Sequence, residues 1–162
     1  MISNNDSLNP KQLTLAAWVK TTTKDPRWLR IFDKSYDTGY AMTLAGDWGK
    51  DSWRGQISME AADPKGHFST TGISVADGQW HQVVATIDGK GQRLYVDGKP
   101  QGRPVVFKGN VAANKYNLVI GCNQSDPPEE LGQSFMGAID EPMMWDRALS
   151  TNEIAFLYQS QQ

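Results

Sequence analysis

The sequence predicts an all-β chain, an antiparallel β-sandwich closed by one short C-terminal helix. Three observations carry this. About ten short strand-like stretches recur at regular spacing between turns, two of them, Leu13–Lys20 and Trp80–Ile87, with clear period-2 alternation. One long stretch, Trp80 to Pro100, reads as a hairpin with bulky residues on both faces, as a strand pair in the middle of a sheet requires. Only one segment, opened by Ser150-Thr151-Asn152-Glu153, carries a helix start signal.

In chain order, Met1 to Gln12 is polar and turn-rich and is expected to lead in along the surface. Leu13 to Lys20 sets Leu13, Leu15, Ala17 and Val19 against Thr14, Ala16, Trp18 and Lys20. Strands are expected at Leu29–Lys34, Tyr40–Ala45, Gln56–Ala61 and His67–Val75. In the hairpin, His81, Val83, Ala85 and Ile87 oppose Gln82, Val84 and Thr86. The turn Asp88-Gly89-Lys90-Gly91 supplies glycines where φ > 0 is needed, and Arg93–Val96 runs into a second tight turn at Asp97-Gly98. Pro104–Lys108, Leu118–Cys122 and Ser134–Trp145 complete the strands; Pro142 demands an edge position or a bulge. The helix should end near Tyr158, with Ile154, Leu157 and Tyr158 on one side.

A length of 162 residues suits one domain, 1–162, able to bury a core without staples. Net charge is −2 with both signs interspersed, which speaks against nucleic acid or an anionic membrane as partner. No apolar run is long enough to form a spanning helix. The single cysteine, Cys122, has no internal disulfide partner and reads as a small buried hydrophobe.

Six tryptophans need a use. Trp18, Trp80 and Trp145 sit in strand patterns and read as core. The loop Gly46–Gly55, GDWGKDSWRG, is different: it mixes Trp48 and Trp53 with Asp47, Lys50, Asp51 and Arg54 between glycines. A sugar ring presents C–H groups on its face and hydroxyls at its rim, so a flat aromatic flanked by charged hydrogen-bonding groups suits it. The expected ligand-binding residues are therefore Trp48, Trp53 and Arg54, with Trp28 and Tyr36 in neighbouring connections. Catalysis is not expected. Asp140 and Glu141 are adjacent and should point to opposite faces of a strand, not into one cleft. His67 and His81 have no serine or cysteine arranged for a triad, and His81 reads as a buried, hydrogen-bonded residue. No zinc spacing and no phosphate-cradling glycine motif occur.

Three segments together, LTLAAWVKT, WHQVVATIDGKGQRLYVDGKP and SFMGAIDEPMMWDRALSTNEIAFLY, resemble the laminin-G-like and pentraxin group of the concanavalin A-like jelly rolls. The likeness runs from about Leu13 to Tyr158. It implies a two-sheet jelly roll, a frequent calcium site, and non-catalytic recognition of glycans at the cell surface or in secreted proteins, as a module of a larger chain. Recognition of a protein ligand without sugar is the alternative it leaves open. By the same resemblance, Ca²⁺ would be held by Asp37, Asn123, Gln124 through its carbonyls, Asp126 and Gln133, oxygen donors of the kind Ca²⁺ prefers. Asp140 is a second, lower-ranked calcium position. The chain departs from the group in two ways. Almost nothing precedes LTLAAWVKT, where relatives carry another strand. The pentraxin disulfide is absent too, so a pentraxin-type disc of subunits is not expected.

Overall fold

The computed structural model describes residues 1–35, 37–47, 51–61, 67–106, 109–123 and 133–162. Ten strands lie in these residues: β1 Leu13–Lys20, β2 Leu29–Lys34, β3 Tyr40–Leu44, β4 Gln56–Ala61, β5 His67–Ser74, β6 Trp80–Ile87, β7 Gly91–Val96, β8 Lys99–Val106, β9 Val119–Ile120 and β10 Ala138–Trp145. One helix follows, α1 Thr151–Ser160. The strands form two five-stranded antiparallel sheets, ordered β10-β1-β6-β7-β8 and β5-β4-β3-β2-β9, a jelly-roll sandwich.

The alternation of β1 and β6 decides the layering. Leu13, Leu15, Ala17 and Val19 join Val83, Ala85 and Ile87 between the sheets, facing Ile31, Tyr40, Met42, Leu44, Ile57 and Met59. Their strand neighbours Ala16 and Val84 point outward, where Tyr95, Leu149 and Ile154 cover them. The helix thus roofs the first sheet, which explains apolar residues on both faces of the hairpin. The capping box forms: Ser150 Oγ accepts from the Glu153 amide at 3.3 Å, and the Glu153 carboxylate accepts from the Ser150 amide at 2.8 Å.

Three expectations change. The strand expected at Pro104–Lys108 begins at Lys99, because Asp97 and Gly98 both adopt positive φ (52° and 72°), the two-residue turn that passes straight into the next strand. Pro100 and Pro104 are tolerated because β8 is an edge. The last strand starts at Ala138, not Ser134, since 134–137 crosses between sheets: Ser134 bridges Arg30 in one sheet, and Ala138 pairs with Lys20 in the other. The N-terminal segment is woven in. Ile2 pairs with Leu118, Leu8 is buried, and Asn4 helps hold a fully buried Lys34.

Candidate functional site

The rim of the sandwich near the end of β1 carries the expected sugar-binding loop. Gly46 lets two chains approach closely: a Cβ there would collide with the Pro26 carbonyl and the Trp28 indole. The Asp47 amide donates to the Pro26 carbonyl at 3.1 Å, tying the 21–28 loop to the 45–55 loop. Trp28 is only 8% exposed. Its ring meets Trp53 edge-on, with centroids 6.3 Å apart and planes at 82°. The geometry gives Trp28 a bracing position beneath the half-buried Trp53, not an open face of its own. Beside this pair the Arg54 guanidinium donates to the Asp47 carboxylate at 2.5 Å. Trp48 and Tyr36 lie outside the described residues.

The described members of the expected calcium set, Asp37, Asn123 and Gln133, do not converge. Gln124 and Asp126 fall outside the described residues. The Gln133 carbonyl accepts from the Arg30 amide at 3.0 Å, and Gly121 donates to Ile31, so Gln133 and Asn123 both lie at the Leu29 end of β2. Asp37 lies beyond Lys34, at the other end, where it accepts from Ser35 Oγ at 2.5 Å. Arg30 to Lys34 alone spans about 13 Å of strand, whereas Ca²⁺ needs its oxygens at roughly 2.3–2.6 Å. Gln133 Oε1 is buried and has no hydrogen-bond partner among the described residues, but one such oxygen is far from the six to eight a site requires. Among the described residues no three His, Cys, Asp or Glu side chains gather in a way that could hold a metal. The described members of the set therefore do not fit one shared ion.

A different constellation, whose two tryptophans read from sequence as core, opens on the outer face of the first sheet beyond the end of α1. Trp18, Trp80, Asp140, Glu141 and Gln161 line a cleft of about 260 Å³. Trp80 is 42% exposed, not buried. Trp18 stacks on Tyr158 of the helix, centroids 5.7 Å apart. Its indole Nε1 donates to Gln161 Oε1 at 3.0 Å, which also accepts from Gln82 Nε2 at 2.7 Å. Gln161 Nε2 donates to the Glu141 carboxylate. The expectation that Asp140 and Glu141 point apart fails here. Along β1 the pairing steps from Ala16 to Trp18 while along β10 it steps from Met143 to Asp140, a bulge with Glu141 at φ +45°. One extra residue on one strand breaks the period-2 rule and turns both carboxylates to one cleft. Pro142 sits inside the same irregularity on an edge strand, as its missing N–H demands.

A family profile described as the concanavalin A-like lectin/glucanases superfamily matches residues 1–155. The chain belongs to that superfamily. C-reactive protein of Cavia porcellus is 33% identical over 81 residues, 49% of this chain and 34% of that protein, so this concanavalin A-like domain matches about a third of the relative's length. Among solved structures, domain 4 of AbnA, an extracellular arabinanase from Geobacillus stearothermophilus seen with arabinotriose, superposes with a TM-score of 0.70. The identity is 19%, covering 93% of this chain and 68% of that one. A carbohydrate-binding module of a Ruminococcus gnavus sialidase, bound to α2,3-sialyllactose, gives 0.72 at 14% identity, covering 93% and 84%. At such identities the likeness is one of fold.

Elsewhere in the concanavalin A-like domain, the titratable clusters hold the fold. His81 Nδ1 lies 2.8 Å from Asp97 and Nε2 lies 3.2 Å from Asp77, while Asp97 also accepts from the Gln82 amide at 3.0 Å. Burial of the imidazole opposes its charge, but the hydrogen bonds and charges of Asp97 and Asp77 prevail and raise its pKa. The ring is a clamp across the β6–β7 hairpin. On the second sheet, Glu60 lies 3.7 Å from Arg30. Burial pushes its carboxyl upward, Arg30 opposes this, and the charge of Asp33 adds to it.

Proposed function

We propose that this domain is a non-catalytic, lectin-like carbohydrate-binding module. The observation that carries the reading is the rim cluster. Trp53 is held edge-on by Trp28 beside the Asp47–Arg54 pair, which sets an aromatic surface next to charged donors and acceptors. Support comes from the superposed domains, two of which are described with an oligosaccharide bound. Trp48 and Tyr36 belong to the proposal as further contacts, Trp28 as the brace.

The mechanism is recognition without bond breaking. A sugar face lies on the indole, its hydroxyls exchange water for Arg54 and Asp47, and the net gain per site is small because each hydrogen bond replaces one to water. Such modules gain strength by being tethered beside an enzyme or repeated on a surface. We place this work outside the cell, as for the arabinanase described as extracellular. Calcium enters the reading only through the stretch containing Gln124 and Asp126; no binding step depends on it.

A glycan array probed with the intact domain, then with Trp53→Ala, tests this. Binding to defined oligosaccharides that weakens roughly tenfold in the variant is expected, the scale of one aromatic contact. An array-negative, folded domain that instead captures one protein ligand would favour the protein-recognition alternative and refute the sugar reading.

A further inference from the structure

The cleft beyond α1 does not belong to the rim cluster, and its chemistry is more selective. It draws on β1, β6, β10 and the residue capping the helix. About 260 Å³ is below the roughly 300–1,000 Å³ of drug-sized pockets and suits one ring. Trp80 offers an exposed aromatic face, and Trp18 stands beside it, backed by Tyr158. Carboxylates only accept hydrogen bonds, so Asp140 and Glu141 call for a partner rich in hydroxyl donors. Lys20, directly across from Trp80 in the pairing, is one positive charge against these two negative ones. The balance stays negative and disfavours a carboxylate or sulfate on the ligand.

The cleft is also built rather than incidental. Glu141 holds a left-handed backbone at φ +45°, a conformation unfavourable for any residue with a side chain. Its carboxylate is pinned by Gln161, whose other amide atom is held by Trp18 and the fully buried Gln82. Four side chains are thus fixed in advance, which lowers the ordering cost of binding.

We propose that the cleft between Trp18, Trp80, Asp140, Glu141 and Gln161 is a second sugar subsite that takes an uncharged ring of a neutral glycan and rejects acidic sugars. The proposal rests on the reading that the domain binds glycans. It places this subsite on the outer sheet face, joined to the rim by the 21–28 loop that follows β1.

The test uses the six indole N–H signals of the ¹⁵N-labelled domain, assigned by single Trp→Phe variants. Arabinotriose and the neutral binders from the array are titrated against α2,3-sialyllactose. Neutral sugars should shift the Trp18 and Trp80 signals, and sialyllactose should leave both in place. Trp80→Ala should weaken neutral binding read at the Trp18 signal roughly tenfold, and Trp80→Phe should restore most of it. Shifts confined to Trp53, with Trp80→Ala neutral, would overturn the subsite and leave the glycan reading standing. Equal shifts at Trp80 from sialyllactose would overturn the charge argument. No binder anywhere on the array would remove both proposals together.

Discussion

Lys34 is the residue whose replacement tests the architecture most directly. It is fully buried, and among the described residues its hydrogen-bond partners are amide and carbonyl oxygens. Its ammonium donates to Asn114 Oδ1 at 2.7 Å, to Asn4 Oδ1 and the Tyr116 carbonyl at 2.8 Å, and more weakly to the Asn114 carbonyl at 3.3 Å. One cation thereby ties β2 to the N-terminal segment and to the 114–116 loop. Lys34→Met keeps the stem and removes the charge. Each charge-assisted bond is worth about 1.5–3 kcal/mol, so three short ones total roughly 4–9. Asn4 and Asn114 keep other donors, Asn9 Nδ2 and the Tyr116 amide, and relief from burying an ammonium returns several kcal/mol. A net loss of about 3 kcal/mol follows, or a fall in Tm of roughly 6–12 °C for a domain of this size. Thermal unfolding followed by circular dichroism reads the shift, and hydrogen exchange should show lost protection at Ile2 and Leu118, which pair through this corner. An unchanged Tm with intact protection at both amides would show that the ammonium holds nothing.

The raised pKa of His81 contributes stability that is complete below its ordinary 6.5 and is lost as pH rises through the folded value. Tm should therefore fall as pH rises above 6.5, and His81→Gln should flatten that slope. Glu153 runs the other way. Arg147, then Ser150, lower it to about 2, so its contribution is present above its ordinary 4.5 and disappears as pH drops toward 2. Ser150→Ala removes the cap and should cost about 1 kcal/mol in urea unfolding at neutral pH. Gly98→Ala should destabilise by more than a plain surface change, because φ is +72° and the new Cβ would lie 3.0 Å from Tyr158. A chelator should leave neutral-sugar binding at the Trp80 indole unchanged, and a calcium requirement there would contradict the cleft geometry.

Most of the fold was legible because its strands obey period 2 and its helix carries its own start signal. Leu13–Lys20 and Trp80–Ile87 sort their side chains between two cores as the alternation predicts. What failed to show were features decided by partners distant in sequence. Pro100 argues against a strand starting at Lys99, and only the edge position of β8 makes it acceptable. The polar lead-in gave no sign that Asn4 would be recruited by Lys34, thirty residues away in sequence.

The candidate sites divide along the same line. The rim loop announces itself, since tryptophans among charges and glycines have few structural explanations. The outer cleft does not. Trp80 heads a strand whose later outward residue Val84 lies beneath the helix, so the same pattern reads as core throughout. Burial at Trp80 is instead decided by where α1 stops: Tyr158 reaches Trp18 and Gln161 reaches Gln82, but Trp80 lies one pair further along β6. The Asp140–Glu141 pair was hidden for a second reason, because strict alternation forbids two neighbours from sharing a face. Pro142 was the available clue. A proline in an otherwise regular strand demands an edge or a bulge, and a bulge at that position can place adjacent carboxylates side by side. The same irregularity that accommodates the proline thus supplies the acidic wall of the cleft. Pro142→Ala should retain the bulge if Glu141 is held by Gln161, and restore regular pairing if the proline alone imposes it. The Trp18 indole shift distinguishes the two, since its hydrogen bond to Gln161 survives only in the first case.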